Sequence, residues 1–281
     1  MKIQIFLISF LQVFALVCKN PLNDLFANFY STPTPDLTLL VGDLHGDFQA
    51  LIEILSYTNH SSSDLLISIG DVIGRGDYTK PLLHYFMSHL NTLHLIGNHE
   101  HLNLMGQFAY VSPGDIQSFG SEENRHKAFN KGGLYWEYLL SRPIIVKLGD
   151  LLLVHAGLSL RIAETYKDLE DINKNFWLDR ELSGTFSPIW YRGYAQGVEK
   201  KVCEELERVL NIVNCKFMLM GHTVFQEIIT KCAGKAIFVD TGISYAMFSR
   251  VSALEILQTG GKTVQMKAVY PKTSKIIYSA Y

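Results

Sequence analysis

Five apolar runs in this chain each end on residues able to bind a metal ion. They are LTLLVGDLHGD with Asp43 and His45, LLISIGDVIGRGD with Asp71, LHLIGNHE with Asn98 and His99, LLLVHAG with His155, and FMLMGHT with His222. A short continuous apolar run bounded by glycine reads as a strand buried on both faces. Such strands deliver the residues that follow them to the carboxyl end of a sheet, where loops gather them in one cleft. The donor set of carboxylates, imidazoles and a carboxamide is the inventory two adjacent divalent cations need. Hard oxygen donors with imidazoles suit Mn2+, Fe or Zn2+.

The segments between these runs predict the layers around them. FQALIEILSYT (48–58) has apolar residues at helical spacing behind Asp47, a good N-cap. Thr79-Lys80-Pro81 opens a helix through LLHYFMSHL, with proline near the first turn, where its missing N–H costs little. With strands at 37–43, 65–70 and 93–97, this is a β-α-β-α-β start, parallel and right-handed. Residues 107–142 read as a mostly helical insertion with a Glu/Lys/Arg-rich stretch at 122–131. RPIIVKLGDLLLVHAG (142–157) reads as a hairpin turning at Gly149-Asp150, and residues 198–213 as an amphipathic helix. KFMLMGH, KAIFVDTG, SALEILQ, KTVQMKAVY and SKIIYSAY read as further strands. Alternation early and strands late fit an α/β fold of two sheets packed face to face, with helices outside.

Of the 281 residues, 48% are hydrophobic and 19% charged, ample for a core and without a linker to divide it. The net charge of −2 and the lack of a polybasic run argue against nucleic acid as a partner. The N-terminus differs. Met1 and Lys2 precede IQIFLISFLQVFALV, uncharged until Lys19. A basic start and a short apolar stretch predict a secretory signal peptide at 1–18, with an uncleaved signal anchor as the alternative. The run is short for a membrane span, so no stable span is expected after cleavage, and the product is expected to be secreted or luminal. Cys203, Cys215 and Cys232 allow one disulfide with a thiol left over, or three buried thiols. Asn59-His60-Ser61 is a glycosylation sequon.

GDLHG (42–46), GDVIGRG (70–76), GNHE (97–100), VHAG (154–157) and GHT (221–223) together resemble the calcineurin-like metallophosphoesterases, and within them the phosphoprotein phosphatase group. RGDYT, NHEHLNLMGQFAYVSP, FNKGGLYWEYLLSRPIIVKLGD and SPIWYRGYAQ narrow the resemblance to the Shewanella-like protein phosphatases. The likeness runs from about residue 37 to 245. It implies the calcineurin-like metallophosphoesterase fold, a two-sheet β-sandwich flanked by α-helices, for a catalytic domain spanning 19–281.

The resemblance also implies roles. Asp43 and His45 would hold the first metal ion and Asp71 would bridge both. Asn98, His155 and His222 would complete the second. Two divalent ions roughly 3.5–4 Å apart share a hydroxide that attacks phosphorus in line, with no phosphoenzyme; Mn2+ is the expected ion. His99 would protonate the leaving group, and Arg75 and Arg192 would grip phosphate oxygens as bidentate donors. Asp240 would orient a ligand histidine from behind. His84, His89, His94, His101 and His126 read as core or loop histidines, Gly149-Asp150 as a turn, and Glu100 as a structural hydrogen-bonding group.

One position departs from the pattern. Gly74 stands where the group usually has an aspartate paired with the catalytic histidine. Either Asp77 supplies the carboxylate, or the leaving group needs little protonation, or the protein is a weakened pseudophosphatase. The implied activity is hydrolysis of phosphotyrosine, phosphoserine or phosphothreonine in phosphoprotein substrates. A dinucleoside polyphosphate hydrolase is the alternative within the superfamily, because its phosphate-chain leaving group needs less help from an acid.

Overall fold

The computed structural model describes residues 37–58 and 60–280. The predicted signal segment, and Asn59 of the sequon, lie outside the described residues. The chain runs β1 (Leu37–Val41), α1 (Phe48–Tyr57), β2 (Leu65–Ser68), α2 (Thr79–Ser88), β3 (Thr92–His94), the predicted start. α3 (Asn98–Leu104) comes next, and the predicted insertion follows as α4 (Pro113–Ser118), α5 (Glu122–Phe129) and α6 (Leu134–Leu140). Next come β4 (Ile145–Leu148), β5 (Leu151–Val154), α7 (Leu160–Thr165), α8 (Leu169–Asn175), a 3-10 turn at Arg180–Ser183, α9 (Gly193–Gln196) and α10 (Glu199–Val213). The last strands are β6 (Phe217–Met220), β7 (Ile229–Lys231), β8 (Ala236–Phe238), β9 (Ala253–Thr259), β10 (Lys262–Tyr270) and β11 (Thr273–Ser279).

These strands form two sheets, one ordered β11-β10-β9-β1-β2-β3 and the other β4-β5-β6-β8-β7. β1 pairs parallel with β2 from Thr38↔Leu65 to Val41↔Ser68, and β5 pairs parallel with β6. The period of two along each strand separates two cores. Leu40, Ile67, Leu151, Leu153 and Leu219 face the partner sheet, where the two sheets bury a common apolar layer. Their neighbours Leu39, Val41, Leu66, Leu152 and Met218 point the other way, into the layer that includes Leu51 and Ile54 of α1 and Leu206 and Val209 of α10. Burying each such side chain contributes ~1.5–3 kcal/mol. This is why the runs are continuous rather than alternating: both faces of the central strands are covered.

Local signals hold where physics is local. Asp47 caps α1 by accepting the Ala50 N–H at 2.9 Å. The 145–154 segment turns at Gly149 as a hairpin. β7 was not expected; among the described residues its three residues pair only with β8, at the sheet edge, and their apolar signal is too short to read. Cys203 of α10 is disulfide-bonded to Cys232, tying the helix to the turn after β7, and among the described residues Cys215 is a free thiol. Among the described residues no helix is long and apolar enough to cross a membrane.

Candidate metal centre

The apolar runs end at one place. Asp43 follows β1, Asp71 follows β2, Asn98 opens α3 after β3, His155 follows β5 and His222 follows β6. The parallel strands of both sheets therefore contribute to a single cluster, and Asp43, His45, Asp71, Asn98, His155 and His222 are all buried in it.

Asp71 sits at the middle. Its backbone N–H donates to Glu100 Oε2 at 2.8 Å and its Oδ1 accepts the His99 backbone N–H at 2.8 Å. That leaves Oδ2 facing the Nε2 atoms of His155, His45 and His99 at 3.4, 3.8 and 3.8 Å. Asp43 lies beside it, Oδ2 being 4.0 Å from His45 Nε2, and both its oxygens accept the His222 N–H at 3.1 Å. His155 Nε2 is also 3.1 Å from Asn98 Oδ1. Separations of 3.8–4.0 Å are too long for hydrogen bonds. They suit two donors each ~2.1 Å from a shared cation.

The donors form two groups, His45 with Asp71 and His99, and Asp71 with His155 and His222. Asp71 belongs to both, as a bridging carboxylate must. His99 stands among the ligand-spaced groups, a position the sequence did not reveal. The imidazole tautomers also fit cation binding. His155 Nδ1 meets the Ile69 carbonyl at 3.2 Å and His45 Nδ1 meets the Ile73 carbonyl at 3.3 Å. A carbonyl only accepts, so each Nδ1 carries a proton; His45, kept neutral by burial, turns its Nε2 lone pair to the cluster, and His155 would do so once its second proton leaves. His222 Nε2 is buried with no hydrogen-bond partner among the described residues, an orphan a cation would satisfy.

Electrostatics say the same. Burial, reinforced by the Asp240 carboxylate, holds Asp43 well above the usual carboxylate range. Burial acts on Asp71 likewise, but His155, His99 and His45 outweigh it and hold Asp71 well below that range. Burial opposes charge on His155, yet Asp71 and Asp43 lift it to about 9. Burial brings His45 down to about 4 and His222 to about 2. In the protein alone a proton on His155 balances the carboxylates; divalent cations would take over that role and displace it.

Backbone conformation is unusual here. His45, Asp71, Arg75 and His222 have φ of 41°, 51°, 64° and 64°. Left-handed conformations of this kind cost non-glycine residues ~1–3 kcal/mol each and cluster at functional sites. A close approach accompanies them: a Cβ on Gly97 would lie 2.2 Å from Asp71 Oδ1.

Arg75 and Arg192 border the cluster. The Arg75 guanidinium lies over the Tyr110 ring at 5.1 Å, and its Nε is buried without a partner among the described residues. Arg192 Nη1 donates to the His222 carbonyl at 3.1 Å and to Thr223 Oγ1 at 2.8 Å, which leaves its other donors uncommitted by these bonds. Glu100 accepts from the backbones of Asp71, Ile73 and Gly97, as a structural group should.

Two expectations are corrected. Asp240 does not orient a ligand histidine: its Oδ1 accepts the Gly242 N–H at 2.8 Å, and backbone carbonyls hold His45 and His155 instead. Asp77 does not replace the carboxylate absent at position 74. It accepts from Ser112 Oγ at 2.6 Å, while His99 Nδ1 is buried with no hydrogen-bond partner among the described residues. A Cβ on Gly74 would lie 2.5 Å from that Nδ1, so the imidazole fills the space a side chain there would need.

Comparison with known proteins follows the same outline. The model of the calcineurin-like phosphoesterase family matches residues 37–226. An uncharacterised protein of Schizosaccharomyces pombe is 30% identical over 84% of this chain and 81% of its own length. Shewanella-like protein phosphatase 1 of Plasmodium berghei is 29% identical over 73% of this chain and 67% of its own. The solved structure of a cold-active protein-tyrosine phosphatase of a psychrophilic Shewanella species shares the fold, with a TM-score of 0.72 at 19% identity over 87% of this chain and 81% of that one.

Proposed function

This chain belongs to the calcineurin-like phosphoesterase family, and from that premise we propose that it is a metal-dependent protein phosphatase acting on phosphotyrosine, phosphoserine or phosphothreonine. The observation that carries the proposal is Asp71, one carboxylate shared by two ligand-spaced groups. The name of the Plasmodium relative supports protein substrates. The family implies two divalent cations, and we assign Mn2+, with Fe and Zn2+ as the alternatives this donor set accepts.

Asp43, His45, Asp71, Asn98, His155 and His222 would hold the cations. When bound, these supply Lewis acidity to the phosphoryl oxygens and lower the pKa of water. Arg75 and Arg192 would grip the remaining phosphate oxygens; a fork of N–H donors fits them in a way a lysine does not. His99 would place its imidazole at the leaving oxygen and give up a proton there. No side-chain hydroxyl or thiol is required as nucleophile. The predicted signal at 1–18 and the Cys203–Cys232 disulfide support entry to the secretory pathway. Finding the untagged chain in the cytosol with Met1 intact would overturn that assignment.

The test is phosphate release from p-nitrophenyl phosphate and from a tyrosine-phosphorylated and a serine-phosphorylated peptide with Mn2+, beside Asp71→Asn. Turnover lost in the variant supports the reading. Hydrolysis of diadenosine tetraphosphate in preference to all three esters would replace it with the polyphosphate alternative. Bound metal with no turnover on any of them would make the protein a pseudophosphatase.

A further inference from the structure

The helical insertion reaches the metal centre through buried polar contacts. Asn103, on the last turn of α3, donates through Nδ2 to the His99 carbonyl at 2.7 Å. Its Oδ1 accepts from Arg125 Nη1 of α5 at 2.7 Å, and Arg125 Nε donates to Asp115 Oδ2 of α4 at 2.8 Å. Arg125 and Asp115 are fully buried, and the guanidinium lies against the rings of Phe108, Phe119 and Phe129. A second contact runs through Tyr110. Its carbonyl accepts the Arg75 N–H at 2.7 Å and its ring centroid is 5.1 Å from that of His99.

This is a costly way to hold two short helices in place. Burial opposes both charges, raising Asp115 and lowering Arg125 even with the partner alongside. Apolar side chains of similar volume commonly hold such elements as well or better. What a hydrogen-bonded chain adds is direction, and its last bond is to the backbone of His99. That residue needs direction from elsewhere, because its Nδ1 has no partner among the described residues and its ring abuts Gly74.

We propose that the insertion positions His99: the Asp115–Arg125–Asn103 chain fixes its backbone and Tyr110 walls its ring, making Asn103 and Arg125 positioning residues for the reaction. The inference rests on the reading of His99 as the leaving-group acid. A displaced acid harms reactions with poor leaving groups most, whereas general loss of structure harms all esters alike. Misplacement of a catalytic group by about 1 Å costs on the order of 10²-fold.

The decisive variant is Asn103→Asp in the full chain. It is isosteric and keeps an acceptor for Arg125, but it removes the donor to the His99 carbonyl. Turnover is measured with Mn2+ on phenyl phosphate and on p-nitrophenyl phosphate, whose phenol leaves more readily, beside His99→Asn. Imidazole carbon–proton NMR spectra of the metal-free proteins are recorded in parallel, with thermal melting to establish folding. Expected are a kcat loss on phenyl phosphate of up to ~10²-fold, a clearly smaller loss on p-nitrophenyl phosphate, little change in KM, and movement of the His99 cross-peaks with those of His84 and His126 in place. Equal losses on both esters, or no loss, with His99 cross-peaks unmoved, would overturn the proposal. If His99→Asn shows no preference for the better leaving group, the reading of His99 as an acid fails. The cross-peaks alone then decide positioning: moved peaks uphold it and unmoved peaks refute it.

Discussion

The Glu100 carboxylate accepts the backbone N–H of Asp71 at 2.8 Å, which ties the first turn of α3 to the loop after β2. Glu100 also accepts from Ile73 and Gly97, so three backbone donors converge on one buried carboxylate. Glu100→Gln offers one acceptor oxygen and turns an NH2 toward N–H groups. An unsatisfied buried group costs ~1–3 kcal/mol. We expect a lower melting temperature in EDTA and a Mn2+ affinity reduced ~10–100-fold, as for other groups that support metal ligands. Calorimetric titration with Mn2+ checks this; unchanged affinity would show that the Asp71 loop holds itself.

Gly74→Asp should not restore a catalytic pair. The added Cβ meets His99 Nδ1 at 2.5 Å and the backbone has φ of +83°. Strain of that kind costs ~1–3 kcal/mol before the ring is displaced. Activity on p-nitrophenyl phosphate and melting temperature should both fall. A rise in kcat with a new acid limb in the pH–rate profile would contradict this reading.

Reduction of the Cys203–Cys232 bond, which closes a separation of 29 residues, should destabilise the fold by about 3–4 kcal/mol in the loop-entropy model. At about 2–4 °C per kcal/mol, that is roughly a 10 °C fall in melting temperature. Cys203→Ser should match reduced wild type, and Cys215→Ser should change little. Equal melting with and without reductant would show that the bond constrains nothing in the unfolded chain.

His101 should give the protein an acid-sensitive stability. Burial against Phe176 and Trp177 lowers its pKa from 6.5. The unfolded chain then binds the proton more readily, so this contribution is fully present above pH 6.5 and is lost as pH falls toward the folded value. One such group gives a slope of at most ~1.4 kcal/mol per pH unit. His101→Phe keeps a ring in place and removes the titration. Urea melts in EDTA at pH 7.5 and 5.5 should show a shallower pH dependence in the variant; parallel slopes would exonerate His101.

The sequence revealed the strands, and therefore the place where the ligands meet, because a buried strand needs a continuous apolar run and a ligand after it needs a loop. Asp71 stood out for that reason, as did His155 and His222. It could not reveal that His99 would share ligand-like spacing with His45, since that depends on how α3 leaves β3. The Arg125 connection was hidden for a different reason. EENRHK reads as a solvated charged face, and only tertiary packing turns one arginine of six residues inward. β7 was too short to have a period, and the roles guessed for Asp77 and Asp240 failed because carboxylates near a site find backbone or hydroxyl donors first.

The left-handed backbone at His45, Asp71, Arg75 and His222 sets a limit on how this protein can be improved. Glycine would relax each of these positions and delete the side chain that makes it useful. Thermostability and turnover therefore pull in opposite directions at these four residues, and a selection for heat resistance alone would erode the centre there first. Engineered gains in robustness are better sought away from the strand ends, in the apolar layers between and outside the sheets and in caps and loops remote from the centre.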